Sequence, residues 1–266
     1  MSIILTPVQG GRYLIIENRR IQGQRWRLCI PEVFIAERET DRFLKCAKPD
    51  AQEYPITVQW HESNNQVFYT WTNEGAEPVP LEYRVWASAE DDSVDLQFTV
   101  KNIGQTKWPK LFSAAVCLRN KEAISFIDPN GKRTILFSKR GPETAWDLEE
   151  KLQLMPIIKW SPIPFYVGIP KYPARENWKE VQHGLIVRAS VDNSWNVAFG
   201  WDKVAMVEAV LGIDSVSCIH SHPQFEKLSP GDSLTRYGKI WFSQDGPDEI
   251  LQRYMAFIAK KRSDPV

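Results

Sequence analysis

Apolar and polar residues alternate with a period of two along much of this chain, the pattern of strands that bury one face. The cleanest run is Val94–Val100, where Val94, Leu96, Phe98 and Val100 alternate with Asp95, Gln97 and Thr99. Leu81–Ala89 sets Leu81, Tyr83 and Val85 against Glu82, Arg84 and Trp86. Arg12–Glu17 and Arg25–Ile30 are rich in aromatic and β-branched residues, and Pro31 follows the second. Val58–Glu62 and Val67–Asn73 flank the turn-forming run Ser63-Asn64-Asn65-Gln66 and predict a hairpin. Asn102-Ile103-Gly104-Gln105 turns the chain, and Leu111–Leu118 returns as a more fully buried strand. Later strands are expected at His183–Ser190, Trp195–Trp201, Ser215–His220 and Ser233–Ser243, the first two joined through Val191-Asp192-Asn193-Ser194. Val204–Leu211 fits a helix or a strand.

The pattern loosens in two places. Pro142–Leu154 predicts a short helix with Pro142 at its first position, where a missing N–H costs nothing. From Pro156 to Pro173 five prolines rule out a long regular element, leaving a crossing loop with one short strand at Phe165–Gly168. Gly246-Pro247-Asp248-Glu249 then opens a C-terminal helix. Ile250, Leu251, Tyr254, Phe257 and Ile258 form its apolar face, and Lys260, Lys261 and Arg262 complement its negative end. That helix is expected to pack on a sheet edge or close one mouth of a sandwich. No repeat or linker divides the chain, so residues 1–266 read as a single β-sandwich domain.

Composition narrows the partners. Eleven Trp and 18 Pro suit sheets with many loops, and 33 basic residues balance 33 acidic ones. Nucleic-acid binders carry a basic excess that tracks phosphates, so no nucleic-acid partner is expected. Arg25 with Arg27, and Lys260-Lys261-Arg262, read as solvated faces. No run approaches the ~20 apolar residues a bilayer span needs, so no membrane partner is expected either. The N-terminus shows no basic and apolar leader pattern, which points to the cytoplasm and to reduced, buried thiols at Cys29, Cys46, Cys117 and Cys218.

The chemistry-bearing residues are few. Of four histidines, His220 and His222 lie in Cys218-Ile219-His220-Ser221-His222-Pro223, where alternation turns Cys218, His220 and His222 to one face. That face offers an acid–base or sugar-binding pair, or ligands for a divalent metal at Cys218, His220 and His222. The plain alternative is a strand that ends at Pro223 with its last histidine in solvent and Cys218 in the core. No metal or other cofactor is expected as the main reading. Trp201 beside Asp202 resembles a sugar subsite, an indole to stack on C–H faces and an acid to bind hydroxyls. His183 opens a strand and is a third imidazole candidate; His61 reads as a surface residue. Glu180 and Glu208 are both available as carboxylate partners, and nothing ranks them. The GxSxG, Walker A, GxGxxG and HExxH patterns are absent, which argues against the usual hydrolase, nucleotide-dependent and metalloprotease chemistries.

Ser93–Leu118 (SVDLQFTVKNIGQTKWPKLFSAAVCL) resembles the strand–turn–strand of galactose mutarotase-like sandwiches. His183–Trp201, Cys218–Phe225 and Ser229–Phe242 are similar to bacterial proteins of that broad type, in which a Pro-Gly-Asp/Glu turn leads into a late strand, as Pro230-Gly231-Asp232 does here. The resemblance implies an antiparallel β-supersandwich and a carbohydrate or sugar-derived ligand. Where mutarotases carry a His-Pro motif in the returning strand, this chain has Ala115, Val116, Cys117 and Leu118, which separates it from standard epimerase chemistry. The expectation is a mainly β, galactose mutarotase-like supersandwich with a C-terminal helix. It acts on a sugar through His220, His222, His183 and Asp202, with Trp201 against the ring. A non-catalytic carbohydrate-binding module and a structural interaction protein are the alternatives.

Overall fold

The computed structural model describes residues 2–36, 58–73, 80–108, 112–120, 122–150, 163–168, 179–210 and 217–263. Two sheets face each other. In spatial order the first comprises β1 (Ile3–Val8), β2 (Tyr13–Asn18), β3 (Arg25–Ala36), β8 (Phe112–Arg119), β16 (Cys218–Phe225), β15 (Val204–Val210), β11 (Ile163–Gly168) and β12 (Lys179–Val181). The second comprises β10 (Gly141–Thr144), β9 (Thr134–Ser138), β13 (Ile186–Ala189), β14 (Asn196–Trp201), β17 (Ser233–Ser243), β7 (Ser93–Asn102), β6 (Leu81–Ala89), β5 (Gln66–Asn73) and β4 (His61–Ser63). All described pairings are antiparallel except β11 with β15. No described helix is long and apolar enough to cross a membrane.

The core between the sheets is made by alternate residues of both. Leu14, Ile16, Trp26, Leu28, Leu118, Val207 and Ile219 of the first sheet meet Tyr83, Val85, Leu96, Phe98, Phe199 and Ile240 of the second. Trp26 packs edge-on against Phe126 and Phe242, with ring centroids 5.1 and 4.9 Å apart. The alternation read from the sequence therefore maps onto β6 and β7, and Val204–Leu211 resolves as the strand β15, its Leu211 lying outside the described residues. The hairpin turn is shorter than expected: Gln66 belongs to β5, and Asn64 takes φ 54° at the turn.

Three expectations are corrected. Pro142 lies in β10, and the helix α1 (Ala145–Glu150) begins only after Thr144, whose hydroxyl accepts from the Asp147 N–H at 3.0 Å as its cap. β16 does not end at His220 but runs through Pro223 to Phe225, and Pro223 is tolerated because no register partner on β8 is found between His220 and Gln224. The C-terminal helix α2 (Pro247–Ser263) packs on neither an edge nor a mouth. Its Ile250, Tyr254 and Ile258 cover Phe137, Leu185, Val187, Ala198 and Trp241 on the outer face of the nine-stranded sheet. Of the proline-rich crossing segment only β11 is described, where a short strand was expected; the rest lies outside the described residues.

Candidate functional site

The outer face of the eight-stranded sheet, the side turned away from the core, carries the candidate chemistry. One row of paired residues crosses five strands: Tyr13 opposite Cys29, Cys29 opposite Cys117, Cys117 opposite His220, and His220 opposite Glu208. His222 stands two residues beyond His220 on the same face and pairs with Met206. A second carboxylate comes from an irregularity in β3. Between the Cys29–Cys117 and Val33–Ala115 pairs, three residues of β3 stand against one of β8, and Glu32 lies in that bulge.

These side chains converge. Glu32 accepts a charged hydrogen bond from Arg119 at 2.6 Å and lies 3.6 Å from His220 Nε2. Glu208 Oε2 is 3.9 Å from His220 Nδ1 and 3.4 Å from His222 Nε2. Cys218 Sγ is 3.8 Å from His220 Nε2. Glu208, His220 and His222 are 7%, 4% and 1% exposed, whereas the Glu32 and Arg119 side chains keep about a quarter of their surface. Burial of this order is rare for ionisable groups unless they compensate one another.

They do compensate. Burial would raise the Glu32 carboxyl, but His220 and Arg119 hold it down at about 2. Burial likewise acts to raise Glu208, and His220 and His222 reverse it, so Glu208 is lowered. For His220, burial disfavours the imidazolium, but Cys117, Glu208 and Glu32 outweigh it and raise the pKa. The Cys29 and Cys117 thiols are themselves pushed up by burial and stay neutral, so the two carboxylates carry that effect. Burial dominates at His222 and lowers it, against the pull of Glu208. Glu32 and Glu208 are thus held toward their charged forms and favour the imidazolium of His220, while burial favours the neutral form of His222.

The other expected site residues are elsewhere. Trp201 is fully buried in the core between the sheets and lies against Gly238, where an added Cβ would fall 2.7 Å from the indole. Neither indole face is open to a sugar, so stacking on Trp201 is corrected to core packing. Phe199 and Trp195 pack with the same core. Asp202 accepts the backbone N–H groups of Tyr237 and Lys203 at 3.1 and 3.0 Å and faces Arg236 at 4.0 Å, a turn-holding arrangement. Burial raises its pKa, opposed by Arg236. His183 lies near Phe137, ring centroids 6.5 Å apart, and burial lowers its pKa. Among the described residues no hydrogen bond, ion pair or ring contact joins Asp202 or His183 to Glu208, His220 or His222. His61 is exposed and stacks on Phe68.

Two sets of side chains on this face have metal-binding spacing: Glu208 with His220 and His222, and Cys117 with Cys218 and His220. The expected set of Cys218, His220 and His222 is split between them. Cys218 and His222 are four residues apart on an extended strand, about 13 Å at ~3.3 Å per residue, too far to share one ion. Glu208 was one of two unranked carboxylates in the sequence, and Glu32 carried no signal there.

No protein-family model matches the sequence, and no curated protein matches it. Solved structures do match. A protein of Synechocystis sp. PCC 6803 is similar over 91% of this chain and 92% of its own, with a TM-score of 0.53 at 9% identity. The α-N-acetylgalactosaminidase of Bifidobacterium bifidum, solved with GalNAc, is similar over 98% of this chain and 38% of its own, with a TM-score of 0.51 at 12% identity. A galactose mutarotase-like protein of Lactobacillus casei ATCC 334 aligns over 91% of this chain and 100% of its own, with a TM-score of 0.48 at 12% identity. At such identities the likeness is one of fold alone, two facing and mainly antiparallel β-sheets.

Proposed function

We propose that this protein binds a sugar or sugar derivative at the outer face of the eight-stranded sheet and transfers protons to and from it through His220 and His222. The observation that carries the reading is the convergence of two imidazoles and two carboxylates on that face, with Arg119 at its accessible edge. A sugar meets Glu32 and Arg119 first, groups suited to its hydroxyls. His220 then lies behind them as donor, with Glu208 between the two rings orienting both. Asp202, expected as the carboxylate partner, is replaced in this role by Glu208 and Glu32. The fold's likeness to part of an N-acetylgalactosaminidase supports a sugar ligand, and the chemistry is argued from the residues alone. A flat stacking platform, as a non-catalytic module would need, finds no support in Trp201, which is buried.

The test is a thermal-shift screen of chelator-treated protein against monosaccharides, uronic acids and oligosaccharides. A ligand at a thousand times its dissociation constant stabilises by ~4 kcal/mol, and each kcal/mol moves the midpoint roughly 2–4 °C in a chain of this size. One sugar class is expected to respond, with the response lost in Glu32→Gln and turnover lost in His220→Ala. A flat response to every class, or turnover unchanged in both His220→Ala and His222→Ala, sinks the proposal.

A further inference from the structure

Neither ring nitrogen of His222 makes a hydrogen bond among the described residues, and neither does Nδ1 of His220. The 3.4 Å approach of His222 Nε2 to Glu208 falls short of hydrogen-bond geometry. A buried polar atom left without a partner is costly, so several on neighbouring side chains call for a reason.

Their placement supplies one. His220 and His222 share a face because they are two apart on β16, and Glu208 faces them because β15 pairs it with His220. One donor atom from each of the three lies within 4.8 Å of the others, and Glu208 Oε2 is the common neighbour at 3.4 and 3.9 Å. Donors held about 2.0–2.1 Å from a transition metal at tetrahedral or octahedral angles stand about 3.0–3.4 Å apart. The contacts of Glu208 therefore need to close by up to about one ångström on binding, and the two imidazole nitrogens, within 4.8 Å of each other, by up to about two. The other nitrogen of His220 faces Glu32 at 3.6 Å, the carboxylate partner that metal-binding imidazoles commonly have.

We propose that Glu208, His220 and His222 bind a divalent transition-metal ion through Oε2, Nδ1 and Nε2, leaving further coordination positions for water or a small ligand. Two imidazoles with one carboxylate suit zinc, cobalt, nickel or iron rather than calcium or magnesium, which take oxygen ligands. The competing set, Cys117 with Cys218 and His220, is disfavoured by charge. On that side the Arg119 guanidinium lies beside Cys117 and is tied to Glu32, so an incoming cation meets a resident one. The inference does not rest on the sugar reading. In the metal-bound state His220 is a ligand and not a proton donor, so the two describe different states of one site.

The test is a cobalt titration of EDTA-treated protein with no sugar present, followed by visible and near-ultraviolet absorption. One Co²⁺ per chain is expected, with visible ligand-field bands, no sulfur-to-cobalt charge-transfer band, and competition by Zn²⁺. Glu208→Gln and His222→Gln, checked for folding by circular dichroism, should weaken binding by more than about 100-fold; Glu32→Gln should weaken it roughly 10–100-fold. Cys117→Ser and Cys218→Ser should leave it unchanged. Absence of cobalt bands in the wild-type protein overturns the proposal, as does undiminished affinity in folded Glu208→Gln. So does a sulfur charge-transfer band in the wild type, a result that needs no variant to fold. The sugar screen runs without metal and the metal titration without sugar, so either reading can fail alone.

Discussion

The sandwich has two outer faces, and they are buried to opposite ends. On the nine-stranded sheet Val187, Ala198 and Trp241 form an apolar outer surface, which α2 covers with Ile250, Tyr254 and Ile258. On the eight-stranded sheet the corresponding surface holds Glu208, His220, His222, Cys117 and Cys218, just as buried but ionisable or nucleophilic. The first face gains stability from burial at ~25 cal/mol per Å² of apolar surface. The second gains little, because each charge removed from water must be repaid by a partner, and apolar residues of similar volume often do as well or better. That costly arrangement is the reason for placing the candidate site on this face. Burial alone does not separate core from site; the chemistry of what is buried does.

The comparison breaks most visibly at Trp241. Its indole packs edge-on against Tyr254 and Phe257, with ring centroids 6.1 and 5.8 Å away. Trp241→Ala should cost about 3–5 kcal/mol in urea unfolding and leave sugar and metal binding at the other face intact in the folded fraction. Loss of binding at matched folded fraction would show that the two faces are not independent.

A smaller cost is expected where the helix approaches the sheet most closely. A Cβ on Gly200 would lie 2.6 Å from the Tyr254 ring, so Gly200→Ala must push α2 outward. Overpacking of this kind costs typically 1–3 kcal/mol. Faster hydrogen exchange in α2 with unchanged exchange in β16 would place the effect on one face. Equal acceleration in both would contradict it.

Acid should act on the opposite face. The Glu32 carboxyl sits at about 2 in the folded protein against 4.5 as reference. A lowered folded pKa means that the contribution is complete above about pH 4.5, declines as pH falls, and is gone below 2. A depression of this size is worth on the order of 3 kcal/mol. Glu32→Gln should therefore lower the metal-free midpoint at pH 7 and flatten its dependence between pH 4.5 and 2. A variant curve parallel to the wild type would remove Glu32 from the compensating set.

How far the sequence could see follows the same division. The core faces were legible because β6 and β7 alternate along most of their length. The shared face of Cys218, His220 and His222 was legible because it needs only the two-residue period of one strand. The carboxylates were not. Glu208 meets His220 through pairing of separate strands, and Glu32 reaches Arg119 and His220 from a bulge beyond Pro31, where the sequence reads as a strand end. Trp201 misled for a related reason: every residue of β14 is buried, so alternation could not tell which face its indole takes. The outward-facing helix was legible as a helix, but its seat over Trp241 depended on contacts that no local pattern encodes.

The finest test concerns a polar tie in the apolar face. The Tyr254 hydroxyl donates to the Trp201 carbonyl at 2.9 Å, and burial pushes its phenol pKa up. Tyr254→Phe keeps the ring against Gly200 and removes only the donor. A single neutral hydrogen bond is worth about 0.5–1.5 kcal/mol net, so the midpoint should fall by only a few degrees. That is well below the cost at Trp241, as expected if apolar contact holds the helix. If Tyr254→Phe instead cost as much as Trp241→Ala, the helix would be held by a buried polar contact, and the two outer faces would differ less than their residues suggest.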